Sequence, residues 1–299
     1  EDIQSIGTYP IPDRDIATLL AKINQYQPRA VGLDIFRDLP VEPGYAELSA
    51  LVKRLDNLVV INKLLPPSPI PPPPAASASQ IGFADALPDP DGFVRRSLLG
   101  AMDSQTNEYK FSLTLRLVER YLAAEGLVLE NGLRDPTTMR FDQTELPKVQ
   151  ANTGGYVRSD AGGEQVLINF RSGQAVFETV TYQQILTDNF SPDLFANRVV
   201  LIGVTAPSVK DIVNTAAIEG VNPGLVTGIE VQAHAVSQLL SAVLDGRQLL
   251  RVLPNGLEYG WIVGWGILGI ALAWRKARLA FFLVSVVVGG GSLLAVSYG

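Results

Sequence analysis

Across 299 residues, 30 acidic side chains outnumber 24 basic ones, and 47% of positions are apolar. The apolar excess is concentrated after Leu257, so residues 1–256 carry 29 acids against 21 bases, a net charge of −8. An acidic head repels phosphate backbones, which argues against nucleic acid as a partner. The absence of cysteine excludes disulfides, thiolate catalysis and Cys-ligated metals. The chain opens on Glu1 with no signal-peptide pattern, and we expect a fragment whose start and anchor lie upstream.

Asp13 opens a helical pattern that places Ile16, Leu19, Leu20 and Ile23 on one face and stops before Pro28. Residues 29–36 (RAVGLDIF) read as a buried strand, 45–56 as a helix, and 58–64 (LVVINKL) as the next buried strand. Strand, helix, strand at this spacing is a βαβ unit, which requires a parallel sheet covered by helices. Pro66–Pro74 and the Ala/Ser-rich 75–79 read as a surface insertion in polyproline II that cannot join a sheet.

Ile81–Ala84 and Gly92–Met102 are predicted to pair as strands around the turn signal DPDG at 89–92. A helix follows over 111–124, and 127–158 holds short antiparallel strands. Residues 165–171 (QVLINFR) form a strand, 181–187 a short helix and 198–205 (RVVLIGVT) another buried strand. Thr227 and Glu230 have the spacing of a capping box opening a helix to Leu244.

Two apolar runs close the chain, 257–274 and 279–298, separated only by Arg275-Lys276-Ala277-Arg278. Each run, as a helix, is roughly 27–30 Å long, close to the hydrocarbon thickness of a bilayer. The expectation is a transmembrane helical hairpin whose basic turn is cytoplasmic, leaving residues 1–250 extracytoplasmic. Trp261, Trp265 and Trp274 lie near the ends of the first run, where indoles favour the interface. The second helix then exits outward, so a cytoplasmic output module needs a third span after Gly299. The fold class is therefore α/β, a mixed, largely parallel sheet with helices on both faces, followed by the hairpin in 251–299.

Open α/β sheets place their sites beyond the carboxyl ends of the strands. Asp34 falls there, as do Thr205 to Asp211 (TAPSVKD), with Asn169 and Arg171 ending a third strand. Asp34, Asn169, Arg171, Thr205, Lys210 and Asp211 are thus candidates for lining a cleft that takes a small polar or anionic ligand. The alternative is a buried network in which Asp34 or Asp211 pairs with Arg95, Arg96 or Lys210. Asp89, Asp91, Arg95 and Arg96 are the candidate structural ion pairs. Asp85, Asp89 and Asp91 lack the spacing of a calcium loop and read as a turn. His234, the only histidine, shares a polar stripe with Glu230, Gln238 and Ser241 and reads as a hydrogen-bonded surface or interdomain residue. No metal site, cofactor or catalytic constellation is expected, because one histidine without a G-x-S-x-G elbow cannot furnish a triad.

GLDIF (32–36), GFADALPDPDGFVRRSLL (82–99), FSLTLRLVERYL (111–122), VLINFR (166–171), RVVLIGVTAPSVKD (198–211) and GIEVQAHAVSQLL (228–240) follow one another in this order. Together they resemble the type-two CHASE domain, an extracellular sensory module, over most of 1–245. The resemblance implies a receptor role ahead of transmembrane helices and a cytoplasmic cyclase or kinase, chiefly in bacteria, with homodimer formation expected by analogy. The chain departs from that pattern at EDIQSIG, where an anchor helix and first strand are usual, and at IVNTAAIEG (212–220), where the family has an aromatic and Thr-Pro. Membrane lipid and a small-molecule or envelope signal are the implied partners. A membrane-anchored periplasmic enzyme and a structural envelope module are the competing readings.

Overall fold

The computed structural model describes residues 6–172, 176–209, 211–215, 225–274 and 287–292. They belong to two compact units, one drawn from 1–150 and 160–251 and the other from 151–159 and 252–299.

The first unit runs in order through α1 (Asp13–Asn24), β1 (Ala30–Asp34), α2 (Tyr45–Arg54), β2 (Leu58–Asn62), β3 (Ile81–Phe83), β4 (Arg96–Met102), β5 (Tyr109–Phe111) and α3 (Leu113–Ala123). It continues through β6 (Leu129–Asn131), β7 (Met139–Phe141), β8 (Thr144–Glu145), β9 (Glu164–Leu167), α4 (Tyr182–Leu186), β10 (Val199–Gly203), β11 (Ile212–Asn214), β12 (Leu225–Thr227) and α5 (Gly228–Leu244).

A parallel sheet in the order β10-β1-β2-β3 forms the centre. Side chains alternate between its faces, and both faces are covered. Val31, Leu33, Leu58 and Val60 pack with Ile16 and Leu20 of α1 and Leu48 and Val52 of α2. Ala30, Val59 and Ile61 pack on the other side with Leu113 and Leu117 of α3 and Val236 and Leu239 of α5. Burial on both faces explains why these strands read as unbroken apolar runs. Ser112 caps α3 by accepting a hydrogen bond from the Leu115 N–H at 3.2 Å. Leu113, Leu115, Leu117, Val118 and Leu122 of that helix are fully buried, and truncating one such leucine costs about 2–5 kcal/mol.

Three smaller antiparallel sheets surround this core: β5-β4-β9, β6-β7-β8 and β11-β12. The first of them corrects a sequence expectation. The strands at 81–83 and 96–102 do not pair with each other; β3 extends the parallel sheet beside β2, and β4 pairs with β5 and β9. The turn at 89–92 closes only an isolated bridge between Pro88 and Val94. Its local signal was sound, but long-range pairing determines where each flanking strand goes.

The proline-rich segment also departs from expectation. Residues 66–69 are exposed, yet Ile70 exchanges two backbone hydrogen bonds of 3.0 Å with Lys63, so the segment does touch strand-like pairing. Pro73 is buried, and Ala75 and Ala76 pack against the first core. Gln80 then donates to the carbonyls of Val52 and Leu55 at 2.7 and 3.0 Å, tying the end of the excursion to the end of α2.

The second unit contains α6 (Asn255–Trp274), whose apolar residues include exposed Leu257, Ile262, Ile267 and Ile270. Five glycines and Glu258 dilute it, and among the described residues no helix is long and apolar enough to cross a membrane. Residues 287–292 form a helical stretch, and a Cβ at Gly289 would lie 3.8 Å from the Trp265 ring. Trp261 and Trp265 stack edge to face at 5.4 Å. The basic turn 275–278 and most of the second apolar run lie outside the described residues.

Candidate functional site

Asp34 ends β1, paired in register with Gly203 at the end of β10. Its carboxyl therefore stands at the carboxyl edge of the sheet, in the crevice position of open α/β folds. Among the described residues no hydrogen-bond donor serves it. Removal from water, reinforced by the negative charge of Asp211, pushes its pKa up from 3.8 to about 7. Asp211 belongs to the loop after β10 and lies over the first residue of α5. A Cβ at Gly228 would come within 2.6 Å of both Asp211 carboxylate oxygens, so a larger residue there would have to push the carboxylate aside. The Gly228 N–H donates to the Asp211 backbone carbonyl at 3.1 Å. Desolvation also raises the Asp211 carboxyl, while hydrogen bonding from Gly228 opposes the rise.

Glu230 completes the acidic edge in the first turn of α5. Its carboxyl is raised by desolvation and held down by a hydrogen bond from the Thr227 backbone. The expected capping box is thus half formed, since the Thr227 side chain makes no cap hydrogen bond. The positive end of the helix dipole favours carboxylates here, each by about 0.3–1 kcal/mol, which offsets only part of their desolvation. Thr205 is exposed on the same loop as Asp211, and Lys210 lies outside the described residues. Among the described residues no group of three His, Asp or Glu is placed to hold a metal ion.

Arg95 and Arg96, the arginines expected to neutralise Asp34, are engaged elsewhere. Arg95 pairs with Asp89 and Asp91 at 2.8 Å to each, and Arg96 donates through Nε and Nη2 to the buried Asp89 at 3.0 and 2.7 Å. Arg96 also donates to Gln165 Oε1 and the Asp160 carbonyl, both at 2.8 Å. Asp85 accepts from the Leu64 and Leu65 N–H groups at 2.7 and 2.9 Å. This acidic stretch is a set of turn and anchor contacts.

Asn169 and Arg171 do not meet Asp34. They run along the polar stripe of α5. The Asn169 N–H donates to Gln238 Oε1 at 2.6 Å, and Arg171 reaches Ser237 Oγ and Ser241 Oγ at 2.7 Å each. The Arg171 N–H donates to His234 Nδ1 at 3.2 Å. His234 is only 1% exposed, which corrects its reading as a surface residue. Phe170 and Phe177 stand edge-on to its ring at 5.1 and 4.8 Å. Burial first, then the charges of Arg171 and Arg247, lower its pKa to about 4.

Arg247 went unnoticed in the sequence. Gly246 adopts φ +69° just beyond the helix end, a conformation glycine takes without strain. The chain reverses there, and the Arg247 side chain returns to donate to the Asn169 carbonyl at 3.0 Å. A lone Gly-Arg step after a helix is the only sequence trace of this arrangement.

The family model described as "CHASE2 domain" matches residues 1–271. Comparison with curated proteins and with solved structures finds no match.

Proposed function

Because the chain belongs to the CHASE2 domain family, whose members are extracellular sensory domains, we propose that residues 1–250 sense a small polar molecule at the carboxyl edge of the parallel sheet. In this reading the membrane helices relay its binding to a cytoplasmic cyclase or kinase module. The observation that carries the site is Asp34, a carboxyl at the end of a central strand with no donor among the described residues. A ligand presenting N–H or O–H groups supplies what Asp34 lacks, and its differential affinity for two states is the only source of a signal. Asp211 and Thr205 form the rim of this site, and Lys210, a sequence candidate for it, lies outside the described residues.

The apolar run in α6 and the following run form the anchor, with the head outside the cytoplasm and the chain acting as a homodimer. The approach of Gly289 to Trp265 supports contact between the two runs, since small residues permit close helix contact in lipid. A thermal-shift screen of polar small molecules on the detergent-solubilised chain tests the sensor reading. A hit abolished by Asp34→Asn, with folding intact by circular dichroism, supports it; hits that survive this substitution remove the proposed site. Protease access to the head from the cytoplasmic side of sealed vesicles would overturn the topology. Purely monomeric behaviour in detergent at high concentration would overturn the dimer.

A further inference from the structure

Most buried or partly buried arginines of the head face a carboxylate: Arg29, Arg37, Arg95, Arg96, Arg116 and Arg140 all do, and Arg120, bonded to the Asp56 and Ser79 carbonyls, still feels the charges of Asp56 and Glu119. Arg171 and Arg247 differ. Among the described residues their side-chain hydrogen-bond partners are all neutral, namely two serine hydroxyls for Arg171 and the Asn169 and Phe170 carbonyls for Arg247. In a head with 29 acids against 21 bases, two neighbouring guanidiniums with no acid bonded to them among the described residues form a local exception. They lie close enough for the charge of Arg171 to lower the Arg247 pKa, after desolvation.

Among the described residues, two further donors in this cluster are unsatisfied. Because His234 Nδ1 accepts from the Arg171 N–H, the imidazole proton resides on Nε2, and that atom is buried with no partner. Arg247 Nη1 is likewise buried without a partner. Leaving such donors unmade is costly. The negative end of the α5 dipole favours one cation here, but it does not account for a pair.

We propose that Arg171 and Arg247 form an oxyanion site on the flank of α5, taking the carboxylate or phosphate group of a small molecule. Guanidinium forks match the paired oxygens of such groups. Both arginines are partly exposed, so an anion meets their solvent-facing N–H groups rather than the buried Arg247 Nη1 and His234 Nε2, while Ser237 and Ser241 accept from Arg171 and keep a hydroxyl proton to donate. His234 is a positioning residue: it holds the backbone of Arg171 against the helix. This site stands apart from Asp34 and does not depend on the reading of that edge.

The test uses the full chain in detergent, with inorganic phosphate and malonate as probes and chloride at matched ionic strength as control. His234 is the only histidine, so selective labelling gives a single imidazole resonance beside the site. The expected result is a saturable shift of that resonance by phosphate or malonate and not by chloride. Arg247→Gln or Arg171→Gln should weaken the response at least tenfold, Arg247→Lys should weaken it less, and Asp34→Asn should leave it unchanged. Absence of a saturable shift in the wild-type chain overturns the proposal, as does an unaltered response in a folded Arg247→Gln chain. Should that variant fail to fold, the wild-type titration and Arg247→Lys decide the matter alone.

Discussion

The two ends of α5 gather unbalanced charge of opposite sign and resolve it differently. At the N-terminus, Asp34, Asp211 and Glu230 share a partly dehydrated edge, and all three carboxyls are pushed toward their neutral forms. Along the C-terminal half, Arg171 and Arg247 stay cationic and the neighbouring imidazole is kept neutral instead. A carboxyl can shed its charge by taking a proton near neutrality, whereas a guanidinium cannot. The acidic end is therefore the responsive one, and the basic end holds a standing positive field.

The largest expected effect comes from a region where charge is balanced, and it calibrates the other two. Asp89→Asn removes the carboxylate beneath Arg96 and leaves a buried guanidinium short of its counter-ion. The expected loss is about 3–5 kcal/mol, read from chemical denaturation by circular dichroism. That method suits the head because all three tryptophans lie in α6.

Asp34→Asn acts in the opposite direction. The unfolded carboxyl ionises near 3.8 and the folded one near 7, so the folded chain holds an extra proton between those values. The stabilisation is complete below pH 4 and is lost as pH rises to 7. Replacement by Asn should raise stability at pH 8 by roughly 4 kcal/mol. A variant no more stable than wild type at pH 8 would show that Asp34 is better solvated than its position implies.

His234 has the reverse slope. Its pKa falls from 6.5 to about 4 on folding, so stability is full above pH 6.5 and declines as pH drops toward 4. From pH 7 to 5 the expected loss is about 2 kcal/mol. In the wild-type chain this loss opposes the gain from Asp34, and these two contributions nearly cancel between pH 4 and 6.5. Asp34→Asn should unmask the histidine slope, and His234→Gln the carboxyl slope. If neither substitution changes the slope in that window, the comparison fails. The smallest effect belongs to Glu230→Gln, which keeps a hydrogen bond to the Thr227 backbone but loses its interaction with the helix dipole. A change within about 1 kcal/mol is expected at pH 8.

Much of this architecture is written into single segments of the chain. β1, β2 and β10 are apolar on both faces, and α1 to α3 repeat their apolar residues at helical spacing, so each declares itself locally. Asp34 was legible for the same reason: it ends a strand that could be located. Strands of three residues such as β3, β5 and β11 carry too few side chains to reveal their partners. Hence β4 was assigned to the wrong neighbour. The polar stripe of α5 is a subtler failure. Glu230, His234, Gln238 and Ser241 follow helical spacing as a solvent face would, and only the arrival of Asn169 and Arg171 from another segment buries part of it. Arg247 depends on a left-handed turn and a contact far away in sequence, neither of which a local pattern encodes.

The proline excursion has a practical corollary. Its base is pinned by the Lys63–Ile70 bridge and by Gln80, whereas residues 66–69 face outward. Extra residues spliced between Pro67 and Ser68 would lengthen a tip already outside the pinned frame. A short epitope or fluorophore tag placed there offers a reporter on the head's own surface, able to mark which side of a cell envelope it occupies without touching either charged end of α5.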